Sequence, residues 1–509
     1  MGVCIGCKKE IKIEFSQLTI LSDLLCDSCK ANNEKELLII RENALENIER
    51  NGYLNNLFDE VLIKEKGIVD GTIVGSQNTN DFCNASIDLR KYMYSLLEEV
   101  HQFTYHACFE CVLYSDFSII PVHKFFSERY FLQNAVLKTI AAWEKLIKFY
   151  ALYYEVTFDD KEKRNTLTNL QKSLFHTDFR QTQIYERLYR LKSDGVFKQL
   201  DDARKSYDHN LSSHLNGTFN LTLIAQAIIL NGQILYNGLE EALDLYNKRS
   251  RIVSSEFVGK FTFYLPEEDL EVFSEKAQRI KQYYKNHNLH KTNGDIFNRS
   301  VQYIKLINLR FDDMVKWSTI YTAPPLQEIY NRLFDVIIRI HESSRSISYM
   351  TNMFKEAVLK GNHDLDSYYV YFNGMNYRYF LLGSLLRIYS VYDKLAVIIQ
   401  KLFEVNPKQK TFESTVEYIK QNEKFINSLP PMKLCNKIIK NRFFKKLYES
   451  RQEFSHYLTA QNYLSPNYKE ILDTEILIAI QENTKLIYKL IESLDLSLIH
   501  FHRMAQSRM

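Results

Sequence analysis

Two short stretches hold the residue types needed to move a proton beside a phosphate: Arg204-Lys205-Ser206-Tyr207-Asp208-His209 and Arg451-Gln452-Glu453-Phe454-Ser455-His456. They are the two Arg-x4-His matches in the chain. A histidine titrating near 6.5 takes a proton at neutral pH and returns it as imidazolium. An arginine stays charged and presents a planar fork of donors to phosphate oxygens. Together these groups suit metal-independent cleavage of RNA. The 2′-hydroxyl gives its proton to histidine and its oxygen attacks the adjacent phosphorus. The bond to the 5′-oxygen breaks, leaving a 2′,3′-cyclic phosphate and a 5′-hydroxyl. DNA lacks that nucleophile and is expected to be inert. Residues five apart lie about 140° apart around an ideal helix. Arg and His therefore converge only where a helix begins or distorts, or where two copies face each other. The second arrangement gives one composite cleft with two cations and two imidazoles. The plain alternative puts all four residues on solvated helix faces.

The positioning elements repeat. Trp143-Glu144-Lys145-Leu146 matches Tyr392-Asp393-Lys394-Leu395, and each lies in a long apolar helical pattern. These helices end alike, in Tyr154-Glu155-Val156 and Phe403-Glu404-Val405. An offset of 249 residues relates Glu144 to Asp393, and 247 relates Arg204 to Arg451 and His209 to His456. An apolar stretch follows each motif, at 221–246 and 471–500. The pattern predicts two copies of one all-α unit. Glu144 and Asp393 are candidates to orient an Arg or His, or else form buried ion pairs between helices. The basic run Lys437 to Lys446 precedes the second motif and is read either as an RNA groove or as a solvated helix face.

These features resemble the HEPN superfamily, helical bundles carrying an Arg-x4–6-His motif after a long helix with an acidic residue. The resemblance covers about 86–250 and 326–509. It implies a metal-independent endoribonuclease whose motif pair, usually supplied by a dimer, is formed within one chain; a higher oligomer remains compatible. It further implies a role in phage defence, abortive infection or a toxin system, with control by an antitoxin or a phage-derived trigger. The chain departs from common family patterns at Lys205 and Gln452, and at Leu211 and Leu458, where one toxin subgroup carries a modified Tyr. The alternative is a non-catalytic HEPN-like scaffold binding RNA, a nucleotide or a protein, or a helical interaction protein.

Four of the eight cysteines lie in the first 30 residues, as Cys4-x2-Cys7 and Cys26-x2-Cys29. That spacing predicts a structural zinc site, whose metal would stabilise a segment too short for its own core. No cofactor is expected for catalysis. Cys108-x2-Cys111, after His101 and His106, reads as helix core rather than a second metal site. The 509 residues include only 15 Gly and 8 Pro, which favours long helices. The net charge of +3 argues against bulk electrostatic nucleic-acid binding, though not against a local basic groove. The most apolar run, 221–239, contains Gln226, Asn231, Gln233 and Asn237 and is too polar for a membrane span. A soluble, cytoplasmic protein without a membrane partner is expected. The predicted organisation is a four-cysteine module (1–30), a helix and loop linker (31–85, with a loop or hairpin at 65–82), bundle 1 (86–250), a helical connector (251–325) and bundle 2 (326–509).

Overall fold

Apolar residues at three- and four-residue spacing dictate helices, and the computed structural model is helical through nearly all its described residues. These are 2–3, 10–11, 27–75, 81–119, 128–158, 166–191, 193–209, 221–248, 257, 294–296, 298–303, 305–306, 323–359, 377–408, 411–456 and 466–507. The exception is an antiparallel pair, β1 (Gly2–Val3) and β2 (Glu10–Ile11), with Gly2 opposite Ile11 and Val3 opposite Glu10. The chain divides into two units. The first holds residues 1–204, 219–267 and 453–464; the second holds 205–218, 268–452 and 465–509.

In the first unit, α1 (Asp27–Gly75), α2 (Asp81–Ile119), α3 (Glu128–Tyr153) and α7 (Leu221–Lys248) pack together as a bundle. Between α3 and α7 come α4 (Thr166–Leu174), a 3₁₀ turn (Asp178–Gln181), α5 (Tyr185–Arg190) and α6 (Gly195–His209). In the second unit, α8 (Ala323–Leu359), α9 (Tyr377–Leu402) and α14 (Pro466–Ser507) pack together. Between α9 and α14 come α10 (Phe412–Asn422), α11 (Lys424–Ser428), α12 (Pro430–Ile438) and α13 (Arg442–His456). Proline begins three of these helices. Pro324 and Pro325 open α8, Pro430 and Pro431 open α12, and Pro466 opens α14, where a missing N–H costs no helical bond.

One expectation is corrected. The segment 65–82, read as a loop or hairpin, continues α1 through Gly67 and Gly71 to Gly75, and α2 begins at Asp81. An interior glycine costs only about 1 kcal/mol relative to alanine, so these glycines need not end the helix. Because α1 packs on α2 and α7, it belongs to the bundle rather than to a linker. Gly232 shows how close that packing is. A Cβ there would meet the Cys108 sulfur at 2.8 Å and the Asn47 amide nitrogen at 3.4 Å. The same Asn47 donates to the Ile229 carbonyl at 3.0 Å. Most of the expected helical connector, 251–325, lies outside the described residues.

The polar residues of the apolar run 221–239 serve the bundle. The Trp143 indole N–H donates to Asn231 Oδ1 at 3.0 Å, and Asn231 Nδ2 donates to the Ala227 carbonyl at 2.8 Å. The second unit contains the same arrangement. The Tyr392 hydroxyl donates to Asn483 Oδ1 at 2.7 Å, and Asn483 Nδ2 donates to the Ala479 carbonyl at 2.7 Å. Helices α3 and α9 also close alike. Val156 N–H reaches back to the Ala151 carbonyl at 2.8 Å, and Val405 N–H to Gln400 at 3.0 Å. The intervening Glu155 (φ 56°) and Glu404 (φ 53°) are left-handed, the pattern of a Schellman end. Among the described residues no helix is long and apolar enough to cross a membrane.

Candidate active site

Helices α6 and α13 carry the Arg-x4-His motifs and are built alike. Each has 15 residues, with Arg at the tenth position and His at the last. Each starts from a side-chain cap. Asp194 Oδ1 accepts from Val196 N–H (2.8 Å) and Phe197 N–H (3.2 Å); Asn441 Oδ1 accepts from Phe443 N–H (2.8 Å). Each buries one stripe, Phe197, Leu200 and Ala203 in α6, and Phe444, Leu447 and Ser450 in α13. Arg204 and Arg451 each follow directly on that stripe and are half-buried. No helix start or distortion separates Arg from His, because both motifs are helical throughout. The side chains of His209 and His456 lie outside the described residues.

The two arginines have different surroundings. Arg204 donates through Nη2 (2.9 Å) and Nε (3.3 Å) to one oxygen of Asp201, a turn earlier on the same helix. Position 448, equivalent to 201 at the 247-residue offset, is Tyr. The Arg451 guanidinium instead stands over the Tyr389 ring, 4.9 Å from its centre. Tyr389 lies against Tyr448 at 6.0 Å between ring centres. Burial holds the Tyr389 phenol well above its usual pKa; Asp393 raises it further and Arg451 opposes the rise. Sequence reasoning missed Asp201, Tyr389 and Tyr448. The signal was local: the residue three before each motif Arg, and the aromatic one turn before Asp393.

Of the two candidate acids, Asp393 is buried and accepts the backbone N–H of Phe412 at 3.3 Å, at the start of α10. It thus approaches the Arg451 cluster through Tyr389. Glu144 is half-buried on α3. The lysine that follows each acid makes the buried ion pair. Lys145 meets Glu99 at 3.1 Å, and Lys394 meets Asp335 at 2.6 Å, with all four side chains at most 3% exposed. Lys433, Lys437, Lys440, Arg442 and Lys445 are exposed on α12, α13 and the turn between them. Lys446 pairs with Glu475 at 3.2 Å.

Cys4, Cys7 and Cys26 lie outside the described residues, as does the Cys29 side chain. β1 and β2 bracket the first cysteine pair in sequence, and Cys29 belongs to the first turn of α1. Among the described residues no three His, Cys, Asp or Glu side chains form a metal-binding group. Cys108 and Cys111 are buried free thiols, as the core reading expects. Burial pushes Cys108 up to about 12, tempered by a hydrogen bond from Asn47, and raises Cys111 as well. Burial lowers His101 to about 4. His106 falls to about 3 through burial, with Lys138 and His101 adding to the shift. Both histidines are therefore neutral at physiological pH.

Comparison with protein-family models, with curated proteins and with solved structures found no match in any of the three.

Proposed function

We propose that the chain is a tandem, internally duplicated HEPN-like endoribonuclease. Arg204, His209, Arg451 and His456 act together in metal-independent cleavage through the RNA 2′-hydroxyl. The observation that carries this reading is the twin construction of α6 and α13, which match in cap, length, buried stripe and Arg and His positions. The exposed basic residues before the second motif suit a phosphate backbone. The proposed setting, phage defence or a toxin system under an antitoxin or phage trigger, rests on the resemblance alone.

We also propose a structural zinc at Cys4, Cys7, Cys26 and Cys29. Four thiolates are the donor set zinc favours, and the paired strands on either side of the first cysteine pair suit such a module. Elemental analysis should find one zinc per chain, lost in a Cys4→Ser/Cys7→Ser variant.

The function is tested by incubating total RNA with the purified protein in EDTA. Wild type should cleave and leave cyclic-phosphate ends, while His209→Ala/His456→Ala should be at least 100-fold slower. Equal cleavage by the double variant would discard the proposed site. If wild type neither cleaves nor shows toxicity on expression that vanishes in the double variant, a non-catalytic scaffold replaces the enzyme.

A further inference from the structure

The two motif copies differ most where a phosphate would be met. Arg204 is already engaged, with two of its nitrogens on one Asp201 oxygen. A phosphate arriving there must displace a carboxylate and would be repelled by it. Arg451 has an aromatic platform instead. An arginine over a ring keeps its charge and its N–H groups, and the ring fixes the plane of the fork without occupying the donors. The approaches to the two arginines differ in the same sense. Lys433, Lys437, Lys440, Arg442 and Lys445 are exposed before Arg451. At the 247-residue offset, the first copy has Glu186, Arg190, Ser193, Gly195 and Lys198. Over the whole equivalent spans, 433–445 has five cations and no acid, whereas 186–198 has four cations (Arg187, Arg190, Lys192, Lys198) and two acids (Glu186, Asp194).

We infer that the copies divide the work: Arg451 and the basic track of α12 and α13 hold the RNA phosphates, while Arg204 is held by Asp201 and contributes little to binding. This inference rests on the proposed RNA activity and adds which half of the repeat grips the substrate. Track and Arg451 lie within the second unit, and Arg204 and Asp201 within the first. The charge asymmetry and the difference in arginine partners are independent observations.

The experiment measures binding of the full chain to a cleavage-resistant 2′-O-methyl oligoribonucleotide over a range of salt. Cleavage of the matching all-ribose strand is followed separately. Each phosphate contact to a single strand contributes about 0.7 to the slope of log affinity against log salt. Arg451→Gln should weaken binding at least tenfold and flatten the slope by about 0.7. Lys437→Gln/Lys440→Gln should flatten it by about 1.4. Arg204→Gln should weaken binding clearly less than Arg451→Gln does, and Asp201→Asn should tighten binding by removing the carboxylate that competes for Arg204. Arg451→Lys, which keeps the charge, should recover most of the slope, so a misfolded Arg451→Gln would be recognised. Equal losses from Arg204→Gln and Arg451→Gln would overturn the inference, as would an unchanged slope in the lysine pair. Wild-type binding with neither cleavage nor expression toxicity that the double histidine variant loses would remove the nuclease reading and leave this one standing on the slopes. A wild type that binds no RNA overturns both.

Discussion

Lys145 and Glu99 sit 3.1 Å apart with 1% of each side chain exposed, so their charges have left water and depend on each other. Taking one away removes the other's ion pair while it stays buried. Lys145→Met is expected to cost about 3–5 kcal/mol, and Lys145→Met/Glu99→Leu to recover much of that. The check is urea unfolding followed by Trp143 fluorescence in a Trp317→Phe background. A double variant as unstable as the single would show that the pair itself, rather than the stranded charge, sets the cost. The tetrapeptides that revealed the repeat are thus core signals as well as site candidates. Trp143 and Tyr392 bond an asparagine on the last helix of their unit's bundle, and Lys145 and Lys394 bind buried acids. The sequence showed matching residues but not their partners. Glu99 lies 46 positions from Lys145, and Asp335 lies 59 from Lys394, spans over which helical periodicity carries no pairing information.

At the scale of elements, helix existence was legible because the apolar spacing is strong and breakers are few. Helix ends were legible where proline or matching sequence marked them, as at α8, α12, α3 and α9. The end of α1 was not, because glycine was read as punctuation inside a helix held by packing. Glu404 tests the Schellman end directly. Glutamate in the left-handed region costs about 1 kcal/mol that glycine avoids. Glu404→Gly is therefore expected to raise the urea midpoint slightly, whereas Lys420→Gly, inside α10, should lower stability by about 1 kcal/mol. If both substitutions destabilise alike, the backbone of residue 404 is not left-handed in solution. Asp201 and Tyr448 were illegible as partners for a different reason. A residue three before an arginine on a helix is its neighbour, but only the side-chain rotamer decides whether the two meet.

At the scale of the whole molecule, three histidines make stability depend on pH. Burial is the leading cause at each. It lowers His101 to about 4, His106 to about 3 with help from Lys138, and His341 to about 4 with help from Arg345. In the unfolded chain they protonate near 6.5. Folding therefore requires neutral histidines, so their contribution is complete above about pH 6.5 and is lost as pH falls toward 4. The urea midpoint should fall between pH 7.5 and pH 5.5, and His106→Gln should reduce that drop. An unchanged midpoint over this range would mean that these rings are hydrated when folded.

The second unit carries one more consequence of its paired charges. On α8, Glu328, Asp335 and Glu342 recur every seven residues; on α9, Lys401, Lys394 and Arg387 do the same in the opposite direction and meet them rung by rung at 2.6, 2.6 and 3.2 Å. A ladder with so even a step has a natural misalignment. Sliding one helix by seven residues would rebuild two rungs, Glu328 with Lys394 and Asp335 with Arg387. The third acid, Glu342, would then arrive opposite Phe380, which is fully buried. A slip in that direction therefore keeps two opposite-charge contacts but sets a carboxylate against a buried phenyl ring, which makes it costly.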